Sequence, residues 1–583
     1  MKTKSLLLGA VTAMSLAPAA FAERGADGHV NVIYWQAPSI LNPYLSGGTK
    51  DLDASAVVIE PLGRYDQDGN LVPYLATEIP TLENGGVSAD LTSITWKLKP
   101  GLLWSDGSPL TSADVVFTAE YCMHPEGGCA QLAQFEGVDK VEAIDDLSVK
   151  VTFKEAKPNP YGPFMGAQAP IIQKAQFAEC LGAKAPECTS ANFGPIGTGA
   201  FRVTEFRPND VISFEANPNY RDAAKPAFAT MTLKGGGDAT AAARSVLETG
   251  EFDLAWNLQL APDVLANMAK GGKGEARSGF GSLVERIMVN MTNPDPALPE
   301  GERSTAKHPH PFLSDVAVRQ ALSLAIDRPL LVEIGYGQAG RPTCDLVPAP
   351  AIYVSGRTEC MTQDLAGANK LLDDAGWARG ADGVRAKDGV RLKMLYQTST
   401  NAVRQDFQAL IKQWWEEIGF EVELRNVSAS VFFGGDPGSP DTFQKFYADV
   451  EMYANTFNGT DPQQYLAAYR CGGEPKPSSQ WQGENINRFC DPAYDALLDE
   501  LAATGDLAKR GEIGRKLNDM VTKDTMTIVP LVNRARVSAH SNSLGGVVLG
   551  HACNPHNGVF SGGDTFPAAQ MQPRHVGGLH LRI

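Results

Sequence analysis

The sequence predicts an α/β protein of two or three domains, and three observations carry that expectation. The chain has 583 residues, far more than one hydrophobic core usually supports. Helical apolar spacing alternates repeatedly with strand-like alternation along its length, which is the pattern of α/β construction. Residues 94–117 hold all the local signals together. Ile94-Thr95-Trp96-Lys97-Leu98 alternates as a half-buried strand, Trp104-Ser105-Asp106-Gly107 punctuates a turn, and Thr111 with Asp114 forms a helix start of the capping-box type.

The beginning of the chain predicts export. Lys2 and Lys4 precede a largely apolar run over 6–16, and Ala20-Phe21-Ala22 supplies a small-x-small cleavage site. Residues 1–22 are therefore expected to be a signal peptide, with an apolar core shorter than the roughly 20 residues a membrane-spanning helix needs. No cysteine follows that core, so a lipid-anchored form is not expected, and no later segment is long and apolar enough to span. The expected location is the periplasm.

The chain holds nine cysteines, and eight fall into neighbouring pairs: Cys122 and Cys129, Cys180 and Cys188, Cys344 and Cys360, Cys471 and Cys490. These are plausible local disulfides for an oxidising compartment, each stapling one loop. Cys553 is left over beside His551 and His556, but so compact a cluster lacks the second half of a usual zinc pattern. His308-Pro309-His310 is expected in a solvated loop before a helix, so no metal site and no cofactor is predicted. A formal charge of −16, or −18 once Lys2 and Lys4 leave with the signal peptide, would repel phosphate backbones. No basic stripe offsets it, which argues against nucleic acid and anionic membranes as partners.

The elements follow in order. Residues 29–38 read as a first strand on the alternation of Val30, Val32 and Tyr34, and 61–73 reads as a hairpin about an Asp-Gly turn. Leu147, Val149, Val151 and Phe153 make another strand, 158–170 a proline-rich loop, and 185–199 a second loop. Residues 201–208 and 211–214 form a hairpin, 239–248 a helix, and 250–255 lead into a strand. Ser314 is expected to cap a buried helix, and 365–375 is a helix. Val403, Phe407, Leu410, Ile411, Trp414 and Ile418 make 403–418 amphipathic, with Trp414 in the core and Trp415 at the flank. Asp491-Pro492 is a cap with proline at the first helical position, starting a helix through Leu501. Residues 527–532 are a strand whose Pro530 argues for an edge position. From about 562 the chain reads as loosely structured.

Three stretches, taken in order, resemble family 5 extracellular solute-binding proteins, the receptors of peptide and nickel ABC importers. They are 94–117; Gly197-Thr198-Gly199 with the following hairpin and Asn217-Pro218-Asn219-Tyr220; and 312–328. The resemblance implies a two-lobed periplasmic binding protein type II clamshell with an additional inserted domain. Lobe I would comprise 23–56 with 198–285 and 531–575, the inserted domain 57–197, and lobe II 286–530. It also implies a ligand catcher, not an enzyme: a monomer that closes around a short peptide and delivers it to the transmembrane subunits of a permease served by separate ATPase subunits. No Gly-x-Ser-x-Gly elbow, His-Glu-x-x-His or phosphate loop is present to suggest otherwise. A secreted hydrolase would need a set of catalytic groups that the sequence does not suggest.

In peptide-binding members, an aspartate four residues before the proline of an acidic-Pro pair receives the ligand's α-ammonium. Here the pair is Asp461-Pro462 and the corresponding position is Asn458, an uncharged amide. A peptide ammonium would then need another carboxylate, such as Asp449 or Glu451, and oligosaccharide, opine-like or metal-chelate ligands stay open. By position, Tyr34, Trp35 and Gln36 at the end of the first strand, and Trp256 with Asn257, are expected to face the cleft from lobe I. Tyr453, Asn455 and Asn458 would face it from lobe II, joined by Arg404 and Trp481. Arg404 would clamp a carboxylate. Trp96 and Trp104 are read as structural.

Overall fold

The first strand sits at the centre of the larger of two main sheets. In this computed structural model, which describes residues 24–66, 70–299, 301–457, 459–545 and 547 and the backbone of 559–560 and 572–573, His29–Tyr34 lies parallel to both Leu254–Trp256 and Thr230–Gly235. The sheet has eight strands, in the order Val559–Phe560, Gly274–Gly281, Arg536–Ser541, Leu254–Trp256, His29–Tyr34, Thr230–Gly235, Val211–Ala216, Phe201–Arg207. Alternation along the first strand sends Val30, Val32 and Tyr34 into one core, and Ile33 into another shared with the helix Ala239–Leu247. Both faces are therefore covered, as parallel strands require. The signal peptide, residues 67–69 of the Asp-Gly turn, Asn458, the Cys553 cluster and most of the C-terminal tail lie outside the described residues.

The second sheet has six strands, in the order Gly340–Pro342, Ile528–Arg534, Val284–Val289, Val450–Asn455, Lys393–Ser399, Glu421–Val427. On one face pack the helices Val316–Leu324, Leu365–Asp374 and Ala402–Glu417; on the other, Pro492–Ala503 and Leu507–Asp519. The chain passes between the two sheets twice, from Gly281 to Val284 and from Arg534 to Arg536. The two crossings are tied side by side: Arg534 N–H donates to Leu283 O at 3.1 Å, and the Asn533 amide donates to Gly281 O and Leu283 O at 2.9 and 3.0 Å.

Residues 57–197 carry a three-stranded sheet (Ser93–Lys97, Ser148–Phe153, Val138–Asp145), the hairpin Gly63–Tyr65 with Leu71–Pro73, and the helix Ser112–Met123. Asp114 accepts from Thr111 N–H at 3.0 Å, the capping contact expected of that pair. Trp96 and Trp104 are fully buried in the core these residues share with the eight-stranded sheet, as their structural reading requires. The return to that sheet depends on glycine. A Cβ at Gly197 or Gly199 would fall 1.9 or 2.6 Å from Val58 O, and the bare backbone lets Gly199 N–H donate to that same oxygen at 2.7 Å.

Several expectations need correction. Residues 185–199 are not a plain loop: Gly182–Glu187 and Thr189–Phe193 are short helices, braced by the Cys180–Cys188 disulfide and by the Asn192 amide donating to Ala185 O at 2.8 Å. The cap of the helix Val316–Leu324 is Asp315, which accepts from Ala317 N–H at 3.0 Å, and not Ser314. Ile528–Arg534 is not an edge strand, because Gly340–Pro342 pairs outside it. That pairing reaches only Val532, and Pro530 sits opposite an irregularity in the partner strand at Glu285/Arg286, so its missing donor breaks no regular ladder. Trp415 is no flank residue: it is completely buried and donates its indole N–H to Leu322 O at 2.9 Å.

All four expected disulfides are formed: Cys122–Cys129, Cys180–Cys188, Cys344–Cys360 and Cys471–Cys490. The last closes the longest loop, with a sequence separation of 19. Replacing both of its cysteines by serine is expected to lower stability by about 3 kcal/mol. The readout is the urea midpoint under non-reducing conditions, and an unchanged midpoint would contradict the expectation.

Candidate binding cleft

Between the two sheets and the inserted segment lies a cleft with about 1570 Å³ of atom-free space, its open mouth included. Gln36, Asn257 and Arg536 line it from the eight-stranded sheet. Gln131, Gln134 and Tyr161 enter from the inserted segment. Arg286, Arg404, Tyr453, Asn455, Tyr465 and Glu484 come from the six-stranded sheet and the segments following it. Direct contacts cross the cleft. Ser46 Oγ donates to Phe433 O at 3.3 Å, Glu136 pairs with Arg470 at 2.5 Å, and the Gln480 amide donates to Ala183 O at 2.8 Å.

Of the residues expected here from sequence, Gln36, Asn257, Arg404, Tyr453 and Asn455 line the cleft. Tyr34 and Trp256 do not; they stack on each other beneath its floor, ring centroids 4.5 Å apart. The Trp256 indole donates to Asp53 Oδ2 at 2.8 Å, and Asp53 pairs in turn with Arg536 at 3.3 Å. Trp35 turns into the core beside the helix Ala239–Leu247 and donates to Asn257 O at 2.8 Å, so it supports a cleft residue without reaching the cleft. Trp481 packs edge-on against Tyr447 at 5.7 Å, away from the lining. Asn458 is not among the described residues.

Arg404 lines the cleft but is already engaged. Its Nε donates to Glu285 Oε1 at 2.5 Å and its Nη1 to Ser399 Oγ at 2.8 Å. Arg534 reaches the other Glu285 oxygen at 3.3 Å, and Tyr336 donates its hydroxyl to it at 3.1 Å. Burial alone would raise the pKa of this carboxyl, but the two guanidiniums outweigh burial and hold it below the usual glutamate value. The cluster is a buried structural joint next to the strand crossings.

Neither carboxylate considered as a substitute amine acceptor is available. Asp449 accepts from His310 Nε2 at 2.8 Å and from Leu395 N–H at 2.5 Å. Glu451 is fully buried outside the cleft lining, where it accepts from the Gln397 amide at 2.8 Å, and burial pushes its carboxyl far above the ordinary glutamate range. Asp461 is held by Arg510 at 2.7 Å and by the Tyr353 hydroxyl at 3.1 Å.

Two cleft groups escaped sequence reasoning. Glu484 accepts from Ala133 N–H at 3.0 Å, across the cleft, and among the described residues no lysine, arginine or histidine forms an ion pair with it. Burial pushes its carboxyl up to about 8, against the hydrogen bond from Ala133 and helped by the charge of Glu136. Arg286 is the other. The signal for it was present in Val284-Glu285-Arg286-Ile287-Met288-Val289, a strand buried at every position yet carrying two adjacent charges.

Relatives and structures of known proteins resemble this arrangement. Protein XP55 of Streptomyces lividans is 28% identical over 396 residues, spanning 68% of this chain and 66% of that protein. The glutathione-binding protein GsiB of Pectobacterium atrosepticum is 23% identical over 516 residues, or 87% of this chain and 88% of that one. The oligopeptide-binding protein AppA of Bacillus subtilis, solved with a nonapeptide, superposes with a TM-score of 0.78 at 20% identity, covering 95% of this chain and all of that one. That likeness establishes the two-lobed fold. The sequence signature of the family matches residues 70–476, most of the chain. This protein therefore belongs to the bacterial extracellular solute-binding proteins, family 5.

Proposed function

We propose that this chain is the periplasmic receptor of an ABC importer, capturing a short peptide by closure of two lobes and presenting the closed form to a permease. The observation that carries the peptide reading is Glu484. A cleft carboxyl without a cationic partner among the described residues is an acceptor for an α-ammonium, and it would replace the charge lost at Asn458. The glutathione-binding relative and the nonapeptide complex of AppA favour the same ligand class.

Lobe I would comprise 23–56, 198–283 and the chain after 535, with 57–197 packed on it, and lobe II would begin with the strand Val284–Val289 and end with Ile528–Arg534. The paired crossings at 281–284 and 534–536 would act as the hinge. Ligand contacts made by both lobes exist only in the closed state, so binding favours closure. Export by the signal peptide, a monomeric state and separate ATPase subunits belong to the same reading. No helix among the described residues is long and apolar enough to cross a membrane.

The test is calorimetry with di- to pentapeptides. With its carboxyl pushed up to about 8, Glu484 is largely protonated at about pH 6.5, and an arriving ammonium favours the ionised form. Peptide binding should release close to one proton, read as a dependence of the binding enthalpy on the ionisation enthalpy of the buffer. Glu484→Gln should abolish that release and weaken binding by about 2–4 kcal/mol. Peptide binding with no proton release in the wild type would place the ammonium elsewhere. Failure of every peptide, alongside tight binding of a sugar, would reject the peptide ligand.

A further inference from the structure

Arg286 is a buried cation that has no anionic partner among the described residues. Its side chain lines the cleft and is almost wholly out of solvent. Its neighbours are tyrosines: the guanidinium contacts the Tyr465 hydroxyl, lies 3.5 Å from that of Tyr453, and stacks 5.1 and 5.4 Å from those two ring centres. Among the described residues its Nε has no hydrogen-bond partner. Every other cation lining the described cleft has an acid. Arg404 and Arg534 share Glu285, Arg536 has Asp53, and Lys50 has Asp51 at 2.7 Å. Glu285 cannot also serve Arg286, because successive strand residues point to opposite faces and its oxygens are already occupied.

Tyrosine faces and hydroxyls do not balance such a charge. A desolvated cation–π contact contributes about 2 kcal/mol, whereas taking an ion out of water costs several kcal/mol even after relaxation. Neutralisation is no way out for arginine. Its guanidinium keeps its proton even when buried, so the charge stays.

We infer that the ligand carries a carboxylate that seats against the Arg286 guanidinium between Tyr453 and Tyr465. This rests on the reading of the chain as a short-peptide receptor and deepens it. The cleft selects zwitterionic peptides, one pole at Glu484 and the other at Arg286, over neutral ligands of the same size. The carboxylate is either the C-terminus or an acidic side chain.

The experiment passes four probes over the immobilised full-length protein and measures retention by mass spectrometry. Three are di- to pentapeptide libraries: one with free C-termini and no Asp or Glu, the same library amidated, and an amidated library bearing one Glu per peptide. Octopine and maltotriose together form the fourth, as a non-peptide carboxylate and a neutral sugar. The free-acid library is expected to be retained about 100-fold more tightly than its amidated twin. Recovery by the Glu-bearing amides would assign the carboxylate to a side chain. Arg286→Gln should remove that preference, and Arg286→Lys should restore part of it. The comparison of probes on the wild type stands even if a variant does not fold.

Equal retention of all three peptide libraries would overturn the inference while leaving the peptide receptor intact. Retention of octopine alone, lost in Arg286→Gln, would reject the peptide and keep the carboxylate seat. Retention of maltotriose alone, or of no carboxylate-bearing probe, would overturn the seat.

Discussion

Glu285→Gln is expected to destabilise the protein by about 3–5 kcal/mol, because it removes one charge from a fully buried cluster and strands two others. Glutamine keeps the shape and can still accept from Tyr336, so the loss isolates the charge. Arg404 and Arg534 would remain desolvated at the strand crossings with no carboxylate between them. The sign of the pH dependence follows from the direction of the shift. The Glu285 pKa is lower in the folded protein than in the unfolded chain, so its contribution is complete above the unfolded value, near 4.5, and is lost as pH falls through the folded one. Urea unfolding at pH 7 should therefore separate wild type from variant most, and the difference should shrink toward pH 3. A variant as stable as the wild type at pH 7 would mean that the three charges are solvated and the joint is not what it looks like.

Trp415→Ala should have an effect of similar size, about 3–5 kcal/mol, for a different reason. The indole is completely enclosed, with its ring centre 5.1 Å from that of Tyr396, and it holds Leu322 O. Truncation opens a cavity between the helix Ala402–Glu417 and the six-stranded sheet and leaves that carbonyl without its donor. Trp415→Phe keeps most of the volume and loses the hydrogen bond, so its cost should be nearer 1 kcal/mol. Denaturant unfolding of the two variants checks both values. If alanine and phenylalanine proved equally mild, Trp415 would be a flank residue after all, as its position on the helical wheel suggests.

That second case shows where periodicity stops informing. An apolar stripe identifies one buried face of the helix Ala402–Glu417, and Trp414 falls on it. Whether the next residue is also buried depends on a second element, Val316–Leu324, arriving from almost a hundred residues away, which no local pattern encodes. The same holds for Tyr34 and Trp256. Their positions at strand ends were legible, but the parallel pairing and register that stack one ring on the other hide both from the cleft.

By itself the sequence determined the α/β class, the family and most strands and helices, and it suggested the four cysteine pairings that the structure then formed. Each of these is written in short-range spacing, in glycines that admit a close backbone approach, or in a motif of about twenty residues. Only the tertiary structure decided which charges are occupied and which are open. Arg404, expected to clamp a ligand, spends its charge on Glu285, while Arg286 and Glu484, unremarked in sequence, face the cleft with no opposite charge paired to them among the described residues. Electrostatic pairing is set by side chains up to several hundred residues apart, such as Asp53 and Arg536 or Glu136 and Arg470. Spacing along the chain carries no record of it.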